Sequence, residues 1–485
     1  MSSFKQKTVS GISWSILSQL TSQFFLLITS IILARLLTPN DFGLIGMITV
    51  LTGFANIFMN VGFSSALIQK EKITQEDLSS VFWFNIVCGI LLTVIFIALS
   101  PLIAIFYEKE ILSSLSILIS FNFLLGSFNI VQRTILVKKV DFKTSFKVEI
   151  ISIPVAGISA IILAYYGWGV WSIAVQSLLQ SSINGILLWL YSSWRPSFIF
   201  KWESIRSLLK FSLNVFGNDT LNYWTRNIDN LLIGKFIGMG GLGIYSKAYG
   251  ILMLPLTNVS QVIGRVLFPS LSLIKEDKIQ VKRVFLKLSR VVALIAFPLM
   301  TGLFAISDVF VLTIFGPQWK EMIPLVNVFC ILGISQSVGT LISHLYLSQG
   351  RADLMFKIGT IIRIILILSI VIGLYWGVIG VAVSYTFGAL TCGYFQYYYA
   401  GGLVNLRYKE VLNNLKEIFL AAVAMGNIVY VIKAFLPPDL SSWILLLATT
   451  FSGIIIYMLF CIFFKIQAYK DVMDLLAEKL QKRPI

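Results

Sequence analysis

Long apolar segments follow one another along this chain, from near its start to residue 464. About fourteen of them reach roughly 20 residues, the length that an α-helix needs to cross the hydrocarbon core of a bilayer. Only 12% of the residues are charged and 57% are hydrophobic, whereas soluble domains carry about 25% charged residues. A water-soluble fold could not bury so much apolar surface. The sequence therefore predicts an all-α integral membrane protein with about fourteen transmembrane helices.

The predicted spans are separated by short turns that carry glycine, proline or charged residues, which commonly end helices. Their approximate limits are 12–36, 42–64, 80–107, 111–131, 148–166, 169–191, 208–236, 242–267, 289–315, 321–347, 355–376, 378–400, 413–435 and 441–464. After the last span, residues 465–485 are predicted to form a cytoplasmic amphipathic tail on the membrane surface.

Basic residues predict the orientation. Most of the 38 Lys and Arg residues fall in alternate turns. The turns on the other side would hold only Arg35, Lys109, Lys235, Lys320 and Lys433. Cytoplasmic loops are enriched in Lys and Arg, so both termini are predicted to be cytoplasmic. The net charge of +16 then lies in short loops that face anionic lipid, which makes membrane lipid an expected partner and nucleic acid not.

The chain contains an internal repeat. ILARLLTPNDFGLI (32–45) aligns with LIGKFIGMGGLGIY (232–245), so that Arg35 matches Lys235 and Gly43 matches Gly243. Six spans separate the copies, so both copies enter the membrane in the same orientation, as in some transporters. The repeat predicts two parallel six-helix lobes around a central cavity. We place the first lobe at 1–200, the second at 201–402, and two additional transmembrane helices at 403–464.

A polar stripe interrupts the seventh predicted span, NDTLNYWTRNID (218–229). Asp219, Asn222, Arg226 and Asp229 are spaced three, four and three residues apart, which places them on one helical face. A charge facing lipid at mid-span costs about 2.5–3.5 kcal/mol. The stripe therefore either lines a cavity or satisfies itself through an ion pair between Arg226 and Asp229, and both interpretations stay open.

The repeat extends this stripe to the first span, because Gln19 aligns with Asp219 and Gln23 with Tyr223. The candidate substrate-binding residues of the cavity are thus Arg226, Asn222, Asp219, Tyr223, Asp229, Gln19 and Gln23. A candidate outer gate consists of Arg35, Asp41 and Lys235, with interfacial anchoring as the alternative for the two cations. Two further candidate cavity cations, Lys247 and Arg363, lie one to two turns inside their spans, where they could also snorkel to the headgroups.

Motifs for catalysis are missing from the sequence. There is no P-loop, no HExxH and no CxxC pair among the four cysteines, so we predict no enzyme, no metal site and no cofactor. The candidate energy sources are instead coupling to H+ or Na+ and the membrane potential. Asp219 and Asp229 are the candidate coupling groups, because intramembrane carboxylates mark ion pathways.

The stretch ARLLTPNDFGLIG (34–46) resembles a signature, ARLLxPxDFG, of the Wzx-type polysaccharide transporters, the oligosaccharide flippases of the MOP exporter superfamily. The chain is similar to colanic-acid and teichuronic-acid exporters of that family. The resemblance implies a multi-pass protein of the bacterial cytoplasmic membrane. It would flip a polyprenyl-diphosphate-linked oligosaccharide from the inner to the outer leaflet by alternating access, for surface polysaccharide synthesis. A polysaccharide polymerase or other assembly proteins are the implied partners.

Arg226 is the first candidate for the diphosphate, because a guanidinium binds phosphate in a fork. Three alternatives remain: an ion-coupled exporter of small molecules like the MATE proteins, a flippase of peptidoglycan lipid precursors, and a membrane glycosyltransferase or polymerase. The short outer turns speak against the enzymes.

Overall fold

The computed structural model describes residues 2–60, 62–256, 267, 269–437 and 439–473. These residues form α-helices, short 3-10 turns and irregular loops, with no strand among them. The chain divides into two compact units, Met1–Gly243 and Ile244–Ile485, and each is described by itself. The predicted lobe boundary near residue 200 follows from the internal repeat rather than from packing, and it stays a prediction.

Unit 1 is built from nine helices and the start of a tenth, among the residues that the structure describes. They are α1 (Ser2–Leu36), α2 (Pro39–Asn60), α3 (Phe63–Gln69), α4 (Gln75–Tyr107), α5 (Ile111–Ser127), α6 (Ile130–Lys138), α7 (Phe142–Tyr165), α8 (Trp171–Tyr191), α9 (Trp202–Phe236) and the start of α10 (Met239–Pro255).

After α10, the helices of unit 2 with both ends in the described part of the chain include α11 (Lys278–Ala305), α12 (Ser307–Ile314), α13 (Ile323–Gly339), α14 (Ile342–Ser348), α15 (Ala352–Gly373), α16 (Gly377–Gly402), α17 (Tyr408–Phe435) and α18 (Ser442–Phe463). Two 3-10 turns, Pro317–Met322 and Leu374–Trp376, connect neighbouring helices.

Within the described residues, ten helices or helical runs are long and apolar enough to cross a membrane, and eleven if a bent pair counts as one span. That pair is α5 and α6, which meet at 44° where the sequence predicted one span over 111–131. The predicted seventh span lies in α9, which is not among these helices because its many polar and charged residues make it too hydrophilic. The predicted span 242–267 begins as α10, but residues 257–266 lie outside the described part of the chain.

The run from residue 352 to 402 is a hairpin of two helices, α15 and α16. Gly377 has a φ of +69°, a left-handed conformation that favours glycine and lets the chain reverse. The two helices then approach closely: a Cβ added at Gly373 would lie 2.1 Å from the Ser384 hydroxyl, and one at Gly388 would lie 2.5 Å from the Ser369 hydroxyl. Small residues at such crossings let transmembrane helices pack at short range.

Apolar side chains cover the outer faces of these helices, as a bilayer requires. On α4 the exposed residues recur at helical spacing: Val87, Leu91, Val94, Leu102 and Ile105. In water such a stripe would promote aggregation, but hydrocarbon is a favourable surrounding for it. The described residues therefore make a multi-pass membrane protein.

The first nine residues of the predicted tail pack into unit 2. Lys465 adopts a left-handed conformation with a φ of 50°, which turns the chain after α18, and Ile466 and Ala468 are buried. The Asp471 carboxylate, only 5% exposed, accepts hydrogen bonds from Arg290 of α11 at 2.9 Å (Nε) and 2.7 Å (Nη2). Residues 474–485 of the predicted amphipathic tail lie outside the described part.

Candidate functional site

Helix α9, which carries the polar stripe, packs against α2, α3 and α4 in unit 1. Tyr223 connects α9 to α2. Its hydroxyl donates hydrogen bonds to the backbone carbonyl oxygens of Val50 at 2.7 Å and Thr49 at 3.2 Å. Gly53 makes room for this ring, because an added Cβ would lie 2.4 Å from the Tyr223 hydroxyl oxygen. The hydroxyl of Tyr223, a candidate substrate-binding residue, is thus hydrogen-bonded to α2 in this structure.

The neighbouring aromatic residue also packs within unit 1. The ring of Trp224 lies 5.0 Å from that of Phe54 between centroids, and Phe54 continues to Phe58 at 5.1 Å. Aromatic pairs at these distances contribute about 0.5–1.5 kcal/mol each beyond their buried area. Together with Tyr223, they fix the rotation of α9 about its axis and so decide where the charged residues of the stripe project.

The charged residues of the stripe do not neutralise one another. Asp219 and Arg226 are exposed, and Asn222 is half-buried. Asp229 is 7% exposed, and its carboxylate accepts a hydrogen bond from the backbone N–H of Asn230 at 2.8 Å. Among the described residues Arg226 forms no ion pair. The pairing of Arg226 with Asp229, one of the two open interpretations, is therefore not formed, and the guanidinium keeps its five donors.

The polar residues of α1 fall into two groups, candidate cavity residues and residues that form hydrogen bonds to α7. Gln19 is exposed and Gln23 is half-buried. The serines one residue before them are engaged: Ser18 and Ser22 donate hydrogen bonds at 2.5 and 3.2 Å to one carboxylate oxygen of Glu149 on α7. Sequence reasoning missed Glu149 because the predicted fifth span began at residue 148. The structure starts α7 at Phe142, which places this carboxylate about two turns inside the helix.

The outer-gate candidates have separate contacts. Lys235 pairs with Glu108, a residue that the prediction did not include, at 2.8 Å. This hydrogen bond and the positive charge of Lys235 hold the pKa of the Glu108 carboxyl below its ordinary value of 4.5. Asp41 accepts hydrogen bonds from the backbone N–H and the hydroxyl of Thr38, at 2.9 and 2.7 Å. Asp41 therefore caps the N-terminus of α2, and a gate that includes Arg35 stays a prediction.

The repeat-related turns 38–43 and 238–243 contact each other reciprocally in unit 1. A Cβ added at Gly43 would lie 1.7 Å from the carbonyl oxygen of Met239, and one at Gly243 would lie 1.9 Å from that of Pro39. Since 239 and 243 are 39 and 43 plus 200, the two contacts are equivalent under the repeat. The backbones touch because neither position carries a side chain, as at small-residue helix crossings in membranes.

The two candidate cavity cations of unit 2 both lie near the middle of their helices. Lys247 is half-buried near the middle of α10. Arg363 is also half-buried, and it lies at the centre of α15 (Ala352–Gly373) rather than one to two turns from its end. A long side chain reaches the headgroups most easily from a helix end, and both cavity lining and snorkelling stay predictions for these two cations.

Unit 2 also contains a cavity of about 700 Å³ between α11, α13, α16 and α17. Its walls are mainly apolar, with Phe297, Met300, Ile334 and Phe419 among them. Such walls could not replace the water around a glycan or a diphosphate, because buried polar groups without hydrogen bonds are costly. This cavity does not provide the site for a polar head group.

Comparison with known proteins agrees with this picture. The family described as polysaccharide biosynthesis protein matches residues 32–324. The chain is 30% identical to the teichuronic acid biosynthesis protein TuaB of Bacillus subtilis (strain 168), over 89% of this chain and 90% of that protein. It is 28% identical to the lipopolysaccharide biosynthesis protein WzxC of Escherichia coli (strain K12), over 80% and 79%.

Two solved structures share the fold. The lipid II flippase MurJ in an inward closed conformation superposes with a TM-score of 0.76 at 16% identity, over 94% of this chain and 99% of that one. An inward-facing multidrug resistance MATE transporter of the MOP superfamily gives 0.64 at 14% identity, over 79% and 94%. These two structures show the fold, whereas the family match and the identity to TuaB show that the chain belongs to the polysaccharide biosynthesis protein family, together with the Wzx-type transporters.

Proposed function

We propose that this protein flips a polyprenyl-diphosphate-linked oligosaccharide repeat unit from the inner to the outer leaflet of the bacterial cytoplasmic membrane. The relatives named for teichuronic acid and lipopolysaccharide biosynthesis support the substrate class. A relative 27% identical over 72% of the chain is named a succinoglycan biosynthesis transport protein (Rhizobium meliloti, strain 1021), which supports transport rather than glycan synthesis. The lipid tail stays in the bilayer, and the protein supplies a polar path for the head.

The observation that carries the proposal furthest is Arg226. It is an exposed guanidinium on a helix of a membrane protein, with no ion-pair partner among the described residues. An isolated arginine inside a membrane is costly unless it faces water or an anion. A diphosphate accepts two parallel hydrogen bonds from a guanidinium. Asn222, one turn earlier on the same face, would reach the sugar next to the diphosphate.

The architecture that we propose for this function goes beyond the helices described above. It has fourteen spans, two parallel six-helix lobes at 1–200 and 201–402 around a cavity, and two further helices at 403–464. Both termini would be cytoplasmic. Transport would proceed by alternating access with H+ or Na+ as the coupling ion, and Asp219 and Asp229 are the candidate carboxylates.

Leaflet transfer in proteoliposomes tests the proposal. A fluorescent polyprenyl-diphosphate oligosaccharide is placed in one leaflet, and its appearance in the other is followed for the wild type, Arg226→Ala and Arg226→Lys. Hydrogen bonds to a charged group contribute about 1.5–3 kcal/mol, so Arg226→Ala should slow transfer roughly 10- to 100-fold. Arg226→Lys should recover only part of the rate, because lysine keeps the charge but loses the fork.

The matched control is Arg206→Ala, an exposed arginine near the start of the same helix, which should transfer at the wild-type rate. A wild type that moves no lipid-linked glycan but exports a cationic dye would contradict the flippase and favour the small-molecule exporter. Transfer that survives Arg226→Ala would keep the flippase and remove Arg226 from the binding site.

A further inference from the structure

Unit 1 contains a second, partly open cavity of about 260 Å³ that no part of the proposed mechanism uses. It lies between α2, the junction of α5 and α6, the first turns of α7 and the second half of α8. Six of its lining residues are polar: Asn129, Arg133, Ser145, Glu149, Ser181 and Asn184. Apolar residues, including Met59, Val148 and Leu188, complete the wall. Polar and charged side chains within membrane-spanning helices are costly, and such groups commonly have a function.

The charges of this cavity balance. The Glu149 carboxylate receives the Ser18 and Ser22 hydroxyls on one oxygen and the Arg133 guanidinium on the other, at 3.3 Å. Arg133 of α6 is the only other charged residue that lines the cavity. Of the other helices packed against α7, residues 13–34 of α1 and 171–190 of α8 contain no ionisable side chain. With one positive and one negative group already paired, the cavity favours a neutral ligand over a cation or an anion.

Neutral polar groups remain without partners in the same cavity. The Asn129 Oδ1 atom is buried and accepts no hydrogen bond in the described structure. The half-buried side chains of Asn184 and Ser145 form none with the described residues either. Buried polar groups nearly always find partners. Unpaired amide and hydroxyl groups can together donate and accept hydrogen bonds. Each hydroxyl group of a sugar ring also donates and accepts, so a sugar ring complements these groups.

We propose that this cavity binds one neutral sugar ring of the glycan head. This proposal rests on the proposed flippase function. Its volume corresponds to about nine water molecules of ~30 Å³ each, which is room for one monosaccharide and not for a whole repeat unit. The amides bind the hydroxyl groups, and the apolar wall receives the C–H face of the ring. The paired Arg133 and Glu149 hold α6, α7 and α1 at the spacing that keeps the cavity open.

The position of the cavity fits the uptake step. The adjoining segments carry Lys138, Lys139, Lys143 and Lys147, and a basic flank of this kind marks the predicted cytoplasmic side. Lipid-linked glycans destined for the outer leaflet are collected on that side. A sugar site there lets unit 1 select the head group before it crosses.

The test uses the purified full-length protein in nanodiscs and saturation-transfer NMR. The probes are free glucose, galactose, N-acetylglucosamine, rhamnose and glucuronate, each compared with the wild type, Asn184→Ala and Ser145→Ala. At least one neutral sugar should bind the wild type, more tightly than glucuronate does. Asn184→Ala should weaken that binding about 5- to 10-fold, because it removes one or two hydrogen bonds. The matched control is Asn413→Ala, an exposed asparagine of unit 2.

Three results would overturn the proposal. The first is that no neutral sugar binds, and the second is equal binding by the wild type and Asn184→Ala. The third is a thermal stabilisation by Na+ that disappears in Glu149→Gln, which would make the cavity a cation site. The binding experiment involves no transport, so it separates the two proposals. Sugar binding without leaflet transfer refutes only the flippase, and leaflet transfer without sugar binding refutes only the sugar site.

Discussion

The effect of a single side chain in unit 1 on stability depends mainly on the residue that the fold places next to it. Glu108 and Lys235 lie 127 residues apart in sequence, yet they form an ion pair of 2.8 Å. Lys235 also lies 5.4 Å from the centroid of the Phe106 ring. Because the Glu108 side chain is 81% exposed, water screens this pair, and its contribution to stability is small.

The Glu108 pair predicts a pH dependence with a definite sign. Its folded-state pKa lies below 4.5, the ordinary value, so its contribution is present above pH 4.5 and is lost as the pH falls through the lowered pKa. Glu108→Gln should therefore melt slightly below the wild type at pH 7 and together with it at the most acidic pH. Thermal melts of both proteins across this range measure the difference. A gap that widens on acidification would contradict the pairing.

Tyr223 gives a second prediction for a single residue. Tyr223→Phe removes the hydrogen bonds to the carbonyl oxygens of Val50 and Thr49 and keeps the ring. It should lower the free energy of unfolding by about 1 kcal/mol, measured as a shift in the melting temperature. Leaflet transfer by Tyr223→Phe should stay within a few-fold of the wild type. A loss as large as that expected for Arg226→Ala would instead place this hydroxyl on the substrate.

Helix packing in this protein depends on glycines, which have no side chain, as much as on residues that have one. At the reciprocal contact of the two repeat-related turns, the atoms opposite Gly43 and Gly243 are backbone carbonyl oxygens, which no rotamer change can move. Gly43→Ala and Gly243→Ala should each cost about 3 kcal/mol or more, the upper range for an overpacked site. Gly359→Ala on α15, where an added Cβ meets nothing within 4 Å, is the control and should melt no lower than the wild type.

The contact between the start of the tail and α11 predicts a second effect at this scale. Asp471→Asn leaves the mostly buried Arg290 without its carboxylate, and breaking such a pair costs about 3 kcal/mol. The control is Asp353→Asn, which removes the exposed pair with Arg351 and should leave the melting temperature unchanged. Equal melting temperatures for Asp471→Asn and the wild type would show that the tail does not depend on this pair.

The helices were easier to predict from the sequence than their partners. Hydrophobic runs predicted the presence of α4, α8 and α18 because a span is a local property of about 20 residues. The partner of Lys235 and the serines around Glu149 could not be found in the same way. They depend on which helices pack together and on their rotation, and a two-turn error at the start of α7 was enough to hide Glu149.

For the whole molecule, the distribution of Lys and Arg predicts the topology. Alkaline phosphatase fused after Lys109 should be active, because it would reach the outer side, and the same reporter at the C-terminus should be inactive. A green fluorescent protein fusion at the C-terminus should fluoresce. An active phosphatase at the C-terminus would contradict an even number of spans between two cytoplasmic ends.

The reciprocal glycine contact also constrains how such a chain can vary over generations. After an ancestral duplication, two copies of a segment are usually free to drift apart. Here a bulkier residue in one copy would collide with the main chain of the other, and no substitution in that other copy could relieve the collision. Both copies must therefore keep glycine at these positions. A variant that loses either glycine is expected to recover only when that glycine is restored.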